Sequence, residues 1–64
     1  MMRIWLNEQP VTLVTGMKVR DVLIAANLFH EIEKGSKVFD EWGNEVGLDG
    51  TLLVGCHYIL KKTG

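Results

Sequence analysis

Sixty-four residues with one Cys, one Pro and seven Gly describe a single small domain, residues 1–64, and leave no room for a second. Seven Lys+Arg against eight Asp+Glu give a formal net charge of -1, without the basic excess of a phosphate-backbone binder, so no nucleic-acid partner is expected. The 47% hydrophobic fraction is too high for disorder, no run nears the roughly 18 apolar residues of a membrane span, and the start lacks a signal-peptide stretch; a cytoplasmic chain without a membrane partner is expected.

A lone cysteine forms no internal disulfide and by itself builds neither a zinc site nor an iron–sulfur cluster, so no metal or cofactor is expected. A chain this short buries only about 60% of the surface its unfolded form exposes. It is too small to enclose a ligand pocket on the order of 300 Å³ and still pack a core, so an independent enzyme is not expected. A carrier, adaptor or subunit is.

Met2-Arg3-Ile4-Trp5-Leu6 alternates as a strand, with Met2, Ile4 and Leu6 on one face and Arg3 and Trp5 on the other. Asn7-Glu8-Gln9-Pro10 supplies turn residues, and Val11-Thr12-Leu13-Val14 resumes the alternation, which predicts a hairpin. After Thr15-Gly16-Met17 the period changes. From Lys18, apolar residues fall at Val19, Val22, Leu23 and Ala26, the stripe of an amphipathic helix that ends near Leu28-Phe29. Thr15 is the expected cap, and Asp21 lies early enough to favour the helix dipole. His30-Glu31-Ile32-Glu33-Lys34-Gly35-Ser36 reads as a connecting loop.

Lys37-Val38-Phe39-Asp40 predicts a third strand, Trp42-Gly43-Asn44 a turn, and Glu45-Val46-Gly47 a short return strand. Leu48-Asp49-Gly50-Thr51-Leu52-Leu53 suggests a turn or one helical turn, and Cys56-His57-Tyr58-Ile59-Leu60-Lys61-Lys62 a last strand before Thr63-Gly64. The expected fold class is α+β: a mixed sheet of four to five strands in ββαββ order, with one helix on one face and the other face open. The expected core is Ile4, Leu6, Leu13, Val19, Val22, Leu23, Ala26, Val38, Leu52, Tyr58 and Leu60.

This order is that of a ubiquitin-like β-grasp, and particular segments resemble the sulfur carriers of that fold. Residues Arg3 to Val11 look like the opening hairpin of the thiamine-pathway carriers. Gly16-Met17-Lys18-Val19-Arg20-Asp21-Val22-Leu23 is similar to their Gly-x-x-Val-x-(Asp/Glu)-Leu-Leu helix entry. Asp40 to Val46 and Leu53 to Leu60 resemble the later hairpin and closing strand. The resemblance spans the chain, and its length suits the thiamine carriers better than the longer molybdopterin synthase small subunits. Two departures stand out: Thr63 occupies the place of the first glycine of the family's Gly-Gly tail, and Cys56 that of an Asp.

The resemblance implies a ThiS/MoaD-like sulfur carrier, not itself an enzyme. Its Gly64 carboxylate would be activated by an adenylyltransferase and converted to a thiocarboxylate that feeds a sulfur-accepting synthase in thiamine or molybdopterin-type cofactor synthesis. Such a tail threads a narrow channel, which favours residues without Cβ; Thr63 is β-branched and stiffer. The alternative is a non-catalytic ubiquitin-like interaction module without the Gly-Gly tail. A TGS-like module contacting RNA or a regulator is disfavoured by the charge of -1.

Trp5 and Ile59 are expected on the open sheet face, a docking or dimer surface of a monomer or weak dimer, because aromatics are enriched at interfaces. Lys61, Lys62 and Thr63 extend that surface. The two lysines either contact an acidic partner surface or keep an edge strand soluble. Trp42 is either a lid over the core or a second exposed anchor. Cys56 and His57 do not read as nucleophile and base, since neighbours on a strand point to opposite faces; a small buried Cys beside a surface His is expected. His30 reads as a loop residue, and Asp40, Glu41, Glu45 and Asp49 as solvated hairpin acids.

Overall fold

The alternation of Ile4 and Leu6 against Arg3 and Trp5 becomes strand β1, Met2–Leu6, in a computed structural model that describes residues 2–63. It is followed by β2 (Gln9–Leu13), α1 (Val19–Ala25), α2 (Phe29–Glu33), β3 (Ser36–Asp40), β4 (Glu45–Val46) and β5 (His57–Lys62). These form a five-stranded mixed sheet in the order β2-β1-β5-β3-β4. The β1–β2, β3–β4 and β3–β5 pairs are antiparallel, whereas β5 runs parallel to β1.

The first hairpin is tighter than the four-residue turn expected. Leu6 pairs with Gln9, so only Asn7 and Glu8 turn, both with positive φ (50° and 68°), as a two-residue primed turn requires. Asn tolerates this region, and the Asn7 Oδ1 accepts the Leu60 N–H at 2.9 Å, tying the turn to β5. Among the described residues Glu8 accepts no comparable hydrogen bond; its carboxylate only approaches the His57 Nδ1, at 3.8 Å. Glu8→Gly therefore raises stability by about 0.5–1 kcal/mol, visible as a higher urea midpoint at unchanged m-value. A lower midpoint would mean that the exposed Glu8 carboxylate contributes more than its backbone strain.

The helical stripe is real, but α1 stops at Ala25, sooner than expected. Asn27 takes a left-handed conformation (φ 59°), the usual way of ending a helix. At the other end Thr15 is not the cap. Lys18 is; its N–H donates to the Asp21 carboxylate at 2.9 Å. The Val19 and Arg20 N–H groups donate to Gly50 and Leu48 carbonyls, so the loop 48–51 does part of the capping. Gly50 is required there by close approach: a Cβ would meet the Gly47 carbonyl oxygen at 3.0 Å and the Val46 side chain at 3.2 Å. That loop contains turns and a bridge from Thr51 to Lys18, with no helical turn.

The segment expected to be a loop is helical over Phe29–Glu33, so two helices, not one, accompany the sheet. Phe29 and Ile32 sit three apart and pack on the core, and Gly35, at φ 103°, ends the turn by donating its N–H to the Ile32 carbonyl at 3.0 Å.

Ile4, Leu6, Leu13, Val19, Val22, Leu23, Val38 and Tyr58 are buried as one cluster. Ala26, Leu52 and Leu60, expected in the core, are partly buried against it; Met2 shares the face of Ile4 and Leu6 by strand parity, as expected, and is exposed at the start of β1. The Tyr58 hydroxyl accepts the Leu53 N–H at 2.9 Å, which satisfies the polar end of a buried ring. Trp42 is no lid: two-thirds of it is exposed, at the β3–β4 turn. Among the described residues no helix is long and apolar enough to cross a membrane.

Candidate functional site

The face of the sheet away from the core is written by the same alternation that builds the core. Trp5, His57, Ile59 and Phe39 alternate with the inward-facing Leu6, Tyr58, Leu60 and Val38, and register puts them side by side: Trp5 opposite His57, Ile59 opposite Phe39. The Trp5 and His57 rings stack, centroids 5.0 Å apart and planes 11° apart. The Lys61 Nζ lies 5.2 Å from the centre of the Phe39 ring, a cation–π contact worth about 0.5–1 kcal/mol at an exposed site. Ile59 is 45% exposed. An aromatic–aliphatic strip thus crosses three strands, with Arg3 and Lys37 exposed on the same face.

The structure brings Trp5, Ile59 and Lys61 onto one face and separates Lys62 from them. Lys62 pairs with the buried Ser36, so it belongs to the opposite face by parity, although it is exposed at the sheet's end. Neither lysine guards an edge: β5 lies between β1 and β3. Thr63 continues past the ladder, its N–H and its hydroxyl both 3.4 Å from the Gly35 carbonyl oxygen. Gly64, like Met1, lies outside the described residues.

His57 and Phe39 also belong to this face. The alternation of β5 places His57 at the surface, but its stacking on Trp5 depends on a parallel pairing between strands some fifty residues apart in sequence, which no local pattern announces.

The remaining chemistry-bearing groups are engaged structurally. The Asp40 carboxylate accepts the Trp42 and Asn44 N–H groups at 3.0 and 2.8 Å, closing the turn after β3. Glu41 accepts the His57 N–H at 3.0 Å, while the Glu8 carboxylate lies 3.8 Å from the His57 Nδ1. Asp49 pairs with Arg20 at 2.8 Å. Cys56 precedes β5 and is half-buried, less than expected, packing against the core's rim. Burial and then the neighbouring Glu41 carboxylate raise its thiol above the ordinary value, the opposite of what a nucleophile needs. His30 lies within α2, not in a loop, with its ring 3.1 Å from the Glu31 carboxylate. Among the described residues no three His, Cys, Asp or Glu side chains converge as a metal site.

Cys56 therefore alkylates more slowly at neutral pH than a free thiol, its rate rising only as pH climbs past the usual thiol range, because only the thiolate reacts. Glu41→Gln removes the nearby negative charge and moves the pH profile of iodoacetamide labelling downward. A profile unchanged by the substitution would contradict this account of the thiol. No family model, curated protein or solved structure matches this chain.

Proposed function

We propose that the chain is a ubiquitin-like β-grasp protein of the sulfur-carrier type, which docks on its protein partners through the open sheet face and delivers its chain end to them. The observation that carries this reading is the strand order β2-β1-β5-β3-β4. The last strand lies inside the sheet, parallel to the first, with both helices on the inner side. One strand, β5, then bears the docking residues Ile59 and Lys61 and leads directly to Gly64. The motif resemblance of the hairpin, the helix entry and the closing strand supports the same reading.

In this role the chain supplies a carboxylate and a docking face, and its partners supply the chemistry. An activating adenylyltransferase transfers AMP from ATP to the Gly64 carboxylate with release of pyrophosphate. A sulfur donor displaces the AMP, leaving the thiocarboxylate, from which a sulfur-accepting synthase of a thiamine- or molybdopterin-type pathway takes its sulfur. Thr63→Gly relieves the stiff position before the reacting carboxylate. With the host's activating enzyme, it raises ATP–pyrophosphate exchange severalfold over the unsubstituted protein. No exchange with either form would sink the carrier reading.

A second reading has an observation of its own. Thr63 is anchored to the Gly35 carbonyl through both N–H and hydroxyl. This contact suits a non-catalytic interaction module that uses the same sheet face and leaves Gly64 unmodified.

A further inference from the structure

The chain leaves the sheet after Val46, one pairing short of the start of β3. Trp5 and Asn7 donate their N–H groups to the Cys56 and Tyr58 carbonyls, so the even-numbered residues of β5 bond toward β1. The odd-numbered ones bond toward β3, where Lys61 and Ile59 face Lys37 and Phe39. The even-numbered residues of β3 therefore direct their main chain toward β4, as the Asp40 N–H does in donating to the Asn44 carbonyl at 2.8 Å. Val38 pairs with Val46, but the Leu48 carbonyl, next in register, accepts the Arg20 N–H at 3.0 Å instead. Ser36 is left without that partner.

Beside Ser36 lies a groove of about 270 Å³ whose apolar walls are Ile32, Val38, Val46 and Leu48. Ser36 is 6% exposed and shares the inner face of β3 with Val38 by parity. No hydrogen bond within the described residues engages its hydroxyl. Yet among those residues no fully buried side-chain oxygen or nitrogen lacks a partner, so this hydroxyl opens to the groove. A hollow that is otherwise apolar thus has a hydroxyl and a main-chain N–H in its lining with nothing to bind, which is rare for groups so well buried.

Charge gathers around the same residue. Lys62 stands directly opposite Ser36, and cross-strand neighbours of this kind share a sheet face. No ion pair within the described residues takes up Lys62. Lys37 lines the groove, and Lys34 precedes Gly35, which lines it too. The nearest acids answer these two only loosely, Glu45 at 3.7 Å from Lys37 and Glu31 at 3.9 Å from Lys34.

We propose that this groove binds a small monocarboxylic acid with a compact apolar body, at a site apart from the open face around Trp5 and independent of the carrier reading. The apolar body lies between Ile32, Val38, Val46 and Leu48. The carboxylate accepts from the Ser36 N–H and hydroxyl, and the Lys62 ammonium balances its charge; charge-assisted bonds of this kind are about twice as strong as neutral ones. The volume falls just below the roughly 300 Å³ at which small-molecule sites begin, which limits the acid to one ring or a short branched chain.

The test is a titration of the ¹⁵N-labelled full chain with benzoate, and with benzamide and benzylamine as its neutral and cationic counterparts. Benzoate moves the amides of Ser36, Val46 and Leu48 most, saturates with a Kd on the order of 1 mM, and binds more weakly as salt is added. The two counterparts bind at least about tenfold more weakly. Ser36→Ala keeps the melting temperature, because the hydroxyl has no internal bond to lose, and weakens benzoate about fivefold. Lys62→Gln weakens it by a similar factor and flattens the salt dependence. A purely structural hydroxyl would do the reverse, lowering the melting temperature and leaving the affinity alone. Equal binding of the three probes, no shift at these amides up to about 10 mM benzoate, or unchanged affinity in both variants overturns the proposal. Shifts centred on Trp5 and Ile59 also overturn it, and assign the benzoate to the aromatic strip of the open face.

Discussion

Leu23→Ala lowers the melting temperature by about 10 °C or more. Leu23 is 1% exposed and sits on the α1 stripe that packs on Ile4, Leu6 and Tyr58 in one core. Truncating such a leucine costs about 2–5 kcal/mol, the transfer of the lost methyl groups plus the cavity they leave. A domain of this size loses about 4–8 °C per kcal/mol. With one cysteine, the chain has no internal disulfide to hold it, and a single small core rarely supplies more than about 3–5 kcal/mol in total. The variant is thus substantially unfolded at ordinary temperature. Circular dichroism melts check this; a loss below about 1 kcal/mol would mean that α1 is not packed as described.

The second large effect is on function and uses two isoleucines that are both exposed. Ile59 lies on the open face and Ile24 on the outer side of α1, at 45% and 61% exposure. Substituting either by glutamate leaves stability within about 0.5 kcal/mol, as for most surface changes. Ile59→Glu, however, places a charge in the aromatic–aliphatic strip, where the proposed partner must exclude water. It raises the concentration of this protein needed to half-saturate the activating enzyme at least about tenfold, while Ile24→Glu leaves it unchanged. Equal effects of the two substitutions would remove the open face from the account.

Much of the architecture was legible because two periods carry it. The alternation in β1, β2, β3 and β5 and the Val19, Val22, Leu23 stripe of α1 are local patterns backed by burial. What escaped was set by other forces. Helix α2 was hidden because its outward positions His30, Glu31 and Glu33 read as loop; the Phe29–Ile32 spacing and Gly35 were the available signals. The cap of α1 is not readable locally at Thr15, because the segment that receives its first N–H groups, Leu48 to Gly50, is distant in sequence. The central place of β5 was likewise invisible, which left Lys61 and Lys62 readable as edge guards. For the candidate site, Trp5 and Ile59 follow from strand parity, whereas the separation of Lys61 from Lys62 needs the β3–β5 register. The Trp5–His57 stack and the groove beside Ser36 were not legible, since both depend on long-range pairing.

The most direct test of the carrier proposal is the intact mass of the protein purified untagged from its own host under conditions that demand cofactor synthesis. The account predicts a population in which one terminal oxygen has been exchanged for sulfur, mapped by fragmentation to Gly64. A wholly unmodified mass under those conditions would contradict it and leave the sheet face as a docking surface alone.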